Sequence, residues 1–191
     1  LRAFAAAPAA GPLTIAYEGA LFGWHGVRVL LAAFAAAVRQ GVDARLLLIG
    51  SGPEEAALTA QAAALGVSDC VTFTGHVGLA QLADYLAAAD MGVSPYCGRA
   101  EFSGLKLLDY KAAGLAIIAS GQDGQPAILE HGRTAWIVPP CDEAALSAAI
   151  VRLSQDAALR RALGQAARRE AEARHSWRHT AEQISRLLAR Q

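Results

Sequence analysis

The sequence predicts a doubly wound parallel α/β sheet of about six strands, extended at its C-terminal end by helices. Three observations predict it. Short β-rich runs alternate with longer Ala/Leu segments of helical period, and the helical segments are bounded by Gly, Pro or Asp. The strand pattern stops after Pro140, and the rest reads as helix. Parallel neighbours need crossovers, helices supply them, and the right-handed rule sets every strand-to-helix loop along one edge.

In chain order, LRAFAAAPAAGP (1–12) is an Ala/Pro/Gly linker with no amphipathic period. The strands expected are LTIAYEG (13–19), ARLLLIG (44–50), CVTFTG (70–75), MGVSPY (91–96), LAIIAS (115–120) and AWIVP (135–139). Helices are expected near 26–39, 54–65, 79–88, 104–113 and 125–130. Asp142 reads as an N-cap after the Pro139-Pro140 break, and 142–190 reads as two or three helices with Arg and Glu outside. The domain division is a linker at 1–12, a sheet domain at 13–174 and a terminal helix at 175–191.

Composition narrows the function classes. A chain of 191 residues suits one domain with its own core. Lys plus Arg and Asp plus Glu both number 17, so no net positive field draws nucleic acid or anionic lipid. The apolar runs break well short of the roughly 18 to 20 residues that span a bilayer, so no transmembrane segment is expected. Cys70, Cys97 and Cys141 are far apart, without a CxxC pair or a His at zinc spacing, and read as reduced thiols in a cytosolic protein. The start at Leu1 reads as a piece cut from a longer chain.

In an open α/β sheet, ligands bind beyond the carboxyl ends of the strands, so the loops there carry the candidates. RAEFSGLKLLDYKAAG (99–114) holds Lys106 and Lys111, whereas the other fifteen basic residues are Arg. Its EFSG precedes a helix, so the amides of Phe102, Ser103, Gly104 and Leu105 read as donors at a helix N-terminus. Glu101 before the helix and Asp109 about one and a half turns inside it are spaced to grip two ends of a polyhydroxyl ligand. They also read as a solvated loop acid and a surface helix acid. GALFGWHG is placed like a phosphate loop but lacks GxGxxG and GxxxxGK[ST]. There His25 reads either as a phosphate donor or as a cap packed beside Trp24. GSGPEE reads as a strand-to-helix turn opened by Pro53, and HSWRH as surface helix rather than metal site.

Together these segments resemble the C-terminal, donor-binding half of the retaining family 4 (group 1) glycosyltransferases, which have the two-domain GT-B fold. The family pattern runs GRL....KG, GxGPE, V.F.G, the E-x7-E block with E.FG..LLEA.A.G.PV.AS, then GG..E....G..G.L..P and FSW. GALFGWHG, GSGPE, VTFTG, EFSGLKLLDYKAAGLAIIAS, DGQPAILEHGRTAWIVPP and HSW stand in those places here. The resemblance implies a Rossmann-like half of a GT-B fold. It also implies transfer of a hexose from a UDP- or GDP-type nucleotide sugar to a saccharide or lipid-linked acceptor positioned by an N-terminal domain.

By position, the resemblance assigns Glu101 to the transferred hexose and the charge at the reaction centre. It assigns Phe102 to Leu105 to sugar and phosphate, Asp109 to the ribose hydroxyls, and Gly19, His25 and Gly26 to the diphosphate loop. Gly75, His76 and Val77 would line the base. It implies no metal and no cofactor, a cytoplasmic protein or one peripheral at the inner membrane face, and no transfer by this piece alone. The chain departs from the pattern where Ala20 replaces an Arg, His25 a Lys, Asp109 a Glu and Ala127 a later Glu; Lys106 is a further source of charge. Those departures suit a second reading, a degenerate domain that binds a nucleotide or a partner. A nucleotide-sugar epimerase of the same architecture is a third, with no clear counterparts for its acid/base residues.

Overall fold

The computed structural model describes residues 11–98, 104–123, 126–175 and 177–188. Six parallel strands, β1 (Leu13–Glu18), β2 (Ala44–Ile49), β3 (Val71–Gly75), β4 (Met91–Ser94), β5 (Ala116–Ser120) and β6 (Trp136–Val138), form one sheet in the order β3-β2-β1-β4-β5-β6. This is the Rossmann order, whose direction reverses between β1 and β4. The expected fold class is therefore the observed one.

Side chains alternate across the sheet with the period of two that strands impose. Ile15, Tyr17, Leu46, Leu48 and Ile118 enter one apolar cluster, and Ala16, Ile49, Ile117 and Ala119 the other. The first cluster is covered by α1 (Val27–Arg39), α2 (Glu55–Ala64) and α5 (Glu143–Gln155). Helix α1 buries Val27, Leu30, Leu31 and Phe34, the i, i+3, i+4, i+7 stripe of a helix with one face inward. The second cluster is covered chiefly by α3 (Leu79–Ala87) and α4 (Leu105–Ala113), with α6 (Ala157–Arg174) packed on α4 and β5. Helix α7 (Trp177–Leu188) follows. Asp142 caps α5 as expected, accepting from the Ala145 amide at 2.8 Å. Among the described residues no helix is long and apolar enough to cross a membrane.

Two expectations are corrected. No helix forms over the described residues 126–130; the segment is a turn in which the Leu129 amide donates to the Pro126 carbonyl at 3.0 Å. So short a segment cannot offset the cost of nucleating a helix, and tertiary anchors hold it instead: Lys111 donates to the Ile128 carbonyl at 2.8 Å. The reduced-thiol reading fails for Cys97 and Cys141, which form a disulfide with Cα atoms 4.9 Å apart; Cys70 is free. The bond joins the loop after β4 to the loop after β6. These are 44 residues apart in sequence but share one sheet edge, which spacing alone does not reveal.

Candidate functional site

The strands' carboxyl ends meet at the switch point, where β1 and β4 pair only through Ile15↔Met91 and Ala16↔Gly92 before they diverge. Tyr110, on the inner face of α4, fills the gap. Its hydroxyl accepts from the Glu18 amide at 2.8 Å and donates to the Val93 carbonyl at 3.3 Å. The ring lies so close over Gly92 that a Cβ there would sit 2.6 Å from it. Glu18 is thereby held at the last position of β1, facing α4.

From α4 come Lys106 and Asp109, one turn apart on the same face. The Lys106 Nζ lies 5.0 Å from the centre of the buried Tyr17 ring and packs along Gly19. Asp109 meets the Glu18 carboxyl through a side-chain hydrogen bond. Burial first, and the Asp109 charge second, push Glu18 from the ordinary carboxylate range up to about 7, while Lys106 draws it the other way. Asp109 is also raised, by burial. A cleft of about 390 Å3 opens beside this pair, lined by Glu18, Gly19, Ala20, Gly50, His76 and Val77 among others, with Leu79 and Leu82 of α3 as its apolar wall.

The loop after β1 closes the site on the other side. Tyr17 donates to the Ala20 carbonyl at 2.9 Å, and His25 Nδ1 lies 2.6 Å from the same oxygen, so the proton on Nδ1 is committed there and Nε2 is the second ring atom. His25 also packs edge-on to Trp24, as the packing reading expected. Gly26 has φ +72° and lies against the Pro95 carbonyl, which a Cβ would meet at 1.6 Å, so only glycine lets α1 start there.

Gly19, His76, Val77 and Asp109 are thus gathered around one corner of the sheet, and Gly75, at the end of β3, accepts from the Gly50 amide at 3.0 Å. His25 and Gly26 stand at the next loop, and Gly104 and Leu105 at the start of α4, where Gly104 adopts φ +59°. The helix spans Leu105–Ala113, in line with the expectation near 104–113. Glu101, Phe102 and Ser103 lie outside the described residues. Glu18 and Tyr110 went unread in the sequence, since a Glu ending a strand and an aromatic on a helix carry no spacing signal. Among the described residues no group of three His, Cys, Asp or Glu side chains is arranged to hold a metal.

The two lysines of the helix do different things. Lys106 lies over the Tyr17 ring beside Gly19, and Lys111 is wholly buried, donating to Glu170 Oε1 at 2.9 Å and to the Ile128 carbonyl.

Residues 12–156 match the family model for group 1 glycosyl transferases. The chain belongs to that family. It is 35% identical over 162 residues to the phosphatidyl-myo-inositol mannosyltransferase of Mycobacterium leprae, covering 85% of this chain and 42% of that protein. Sucrose-phosphate synthase from Thermosynechococcus elongatus superposes with TM-score 0.82 at 31% identity, covering 96% of this chain and 46% of that one. Anabaena HepE in complex with UDP superposes with TM-score 0.84 at 22% identity, covering 95% and 50%, a likeness of fold. The chain therefore spans about half or less of the length of these three proteins, one Rossmann-like half of a GT-B architecture.

Proposed function

We propose that this group 1 glycosyltransferase domain holds the nucleotide-sugar donor of a retaining hexosyl transfer, with the base and ribose in the cleft between β1 and α3. The observation that supports the reading is the cleft itself at the switch point, where doubly wound sheets bind nucleotides, with Asp109 joined to it through the Glu18 carboxyl. His76 and Val77 lie where the base would rest, and the Leu79–Leu82 wall offers it an apolar face. The M. leprae relative is named a mannosyltransferase and HepE was solved with UDP, which supports a nucleoside diphosphate sugar as ligand class.

In the proposed transfer the anomeric C–O bond to the diphosphate breaks, the electron pair leaves with the phosphate oxygen, and an acceptor hydroxyl bonds to the same carbon. The hydroxyl's proton passes to the departing phosphate. Charge then develops on the leaving oxygens, and preorganised cations and amides there lower the barrier. Lys106 lies beside Gly19, the residue before Ala20, where the family pattern carries an Arg. It supplies the cation on this reading, with His25 Nε2 and the first amides of α4. Glu101 steadies the sugar ring by its place in the E-x7-E block. The acceptor, a saccharide or lipid-linked saccharide, is positioned by the other half of a complete enzyme.

Calorimetric titration with UDP, GDP and ADP tests the donor site. Saturable binding of one nucleotide, weakened about tenfold or more by Asp109→Ala, is the expected result, the loss of a charged hydrogen bond being worth roughly 1.5–3 kcal/mol. A folded chain that binds none of the three overturns it. Ala20 and Ala127 favour one second reading, a domain that binds nucleotide without transfer; a complete enzyme inert with every donor yet still binding nucleotide identifies that case.

A further inference from the structure

We infer that Glu18 is a second ligand-contacting carboxyl of the cleft, paired with Asp109 through one shared proton, and that nucleotide-sugar binding is tied to the protonation of this pair. The inference rests on the donor-site reading above and adds a residue and a control to it.

The geometry comes first. Glu18 lines the cleft at the end of β1, and its backbone is fixed by the Tyr110 hydroxyl, so its side chain has little freedom to turn away from α4. Its Oε2 is buried and receives no N–H or hydroxyl hydrogen bond. A buried carboxylate oxygen without a donor is costly, and a second carboxylate alongside makes it costlier. One proton held between Glu18 and Asp109 answers both problems, as it does wherever two carboxyls share a site. Burial and the neighbouring carboxyl raise Glu18 to about 7, in agreement with that arrangement.

The consequence for a ligand follows from charge and hydrogen-bonding capacity. A singly protonated pair offers an O–H donor and carboxylate acceptors together, which matches a sugar hydroxyl that both donates and accepts. A doubly ionised pair loses the donor and sets two negative charges beside an arriving diphosphate. The groups facing Glu18 among the described residues are Lys106, Asp109 and Tyr110 of α4, with His76 across the cleft; Leu79 and Leu82 of α3 bring no charge. Lys106 favours the ionised pair and does not outweigh burial. His76 is the group whose own protonation must be separated from that of Glu18.

The test is binding of UDP-glucose and GDP-mannose from pH 6.0 to 8.5, because their diphosphate diesters do not titrate in that window. Wild-type binding of the accepted sugar nucleotide is expected to weaken about 10- to 30-fold across it, the span for a site that must hold one proton with a midpoint near 7. Glu18→Gln, which cannot ionise, is expected to bind with no pH dependence and more tightly than wild type at pH 8.5. Asp109→Asn, which removes the neighbouring charge, should move the midpoint of any remaining profile to lower pH. His76→Gln, whatever it does to affinity, should keep the same relative loss of binding between pH 6.0 and 8.5. A flat wild-type profile overturns the inference alone, as does a profile that survives in Glu18→Gln and vanishes in His76→Gln. Failure of folded wild type to bind either compound at any pH overturns the donor-site reading and the inference together.

Discussion

The Tyr110 hydroxyl shows how much of the site rests on single side chains. It satisfies the Glu18 amide on one strand and the Val93 carbonyl on the next, where the strands have ceased to pair. Tyr110→Phe leaves both groups without that partner in a dry interior. The expected loss is about 1–3 kcal/mol, read as a lower thermal midpoint, with weaker nucleotide binding because Glu18 loses its anchor. A variant as stable as wild type would show that water or a backbone shift replaces the hydroxyl. Sequence reasoning reached Asp109 through its place in a motif but had no route to Tyr110 or Glu18. Both owe their roles to the opening between β1 and β4.

At the scale of elements, α4 is held to α6 and to the 126–130 turn by one buried charge. Lys111 pairs with Glu170, which Arg133 also reaches at 2.8 Å, and the Lys111 Nζ lies 3.4 Å from His175 Nε2. Burial alone would raise the Glu170 pKa, but Lys111, followed by Arg133, holds it below the ordinary carboxylate value. A depressed carboxyl contributes stability that is complete above the unfolded-state pKa and lost as pH falls through the folded one. Acidification below about pH 4.5 should therefore loosen this junction. Glu170→Ala strands the Lys111 charge and should cost about 3–5 kcal/mol in chemical denaturation, with a flatter acid limb than wild type. An unchanged midpoint would mean that Glu130 and solvent rearrange to compensate the lysine. In the sequence, Lys111 stands out as one of two lysines among fifteen arginines; its burial became visible only when α6 was packed against it. The helix expected over 125–130 misled for the same reason, since the described residues 126–130 are anchored by Lys111 and Thr134 rather than by helical periodicity.

For the whole molecule, the strand order decides which loops become neighbours. The disulfide between Cys97 and Cys141 ties the approach to the E-x7-E block to the loop that opens α5. Closing a loop of 44 residues constrains the unfolded chain by roughly 4 kcal/mol in the entropy model. Cys97→Ser, or reduction by dithiothreitol, should lower the thermal midpoint by several degrees. Equal midpoints with and without reductant would show that the bond does not persist in solution.

The fold was legible because its signals are local: β-rich runs, helical stripes, the Asp142 cap and the glycine-bearing loops each act within a few residues and agree with one another. The family was legible for a related reason, since its motifs lie on consecutive strand-to-helix loops and survive as short strings. By itself the sequence therefore determined the class of sheet, the edge that carries the candidate site, and Asp109 as a candidate residue there. Only the tertiary structure decided that Glu18 meets Asp109, that Lys106 packs on Tyr17 while Lys111 is buried, and that Cys97 reaches Cys141. Those contacts join residues from 44 to more than 90 positions apart. What makes them is the divergence of β1 from β4 and the packing of α4 and α6 across the sheet, neither of which leaves a periodic trace in the chain.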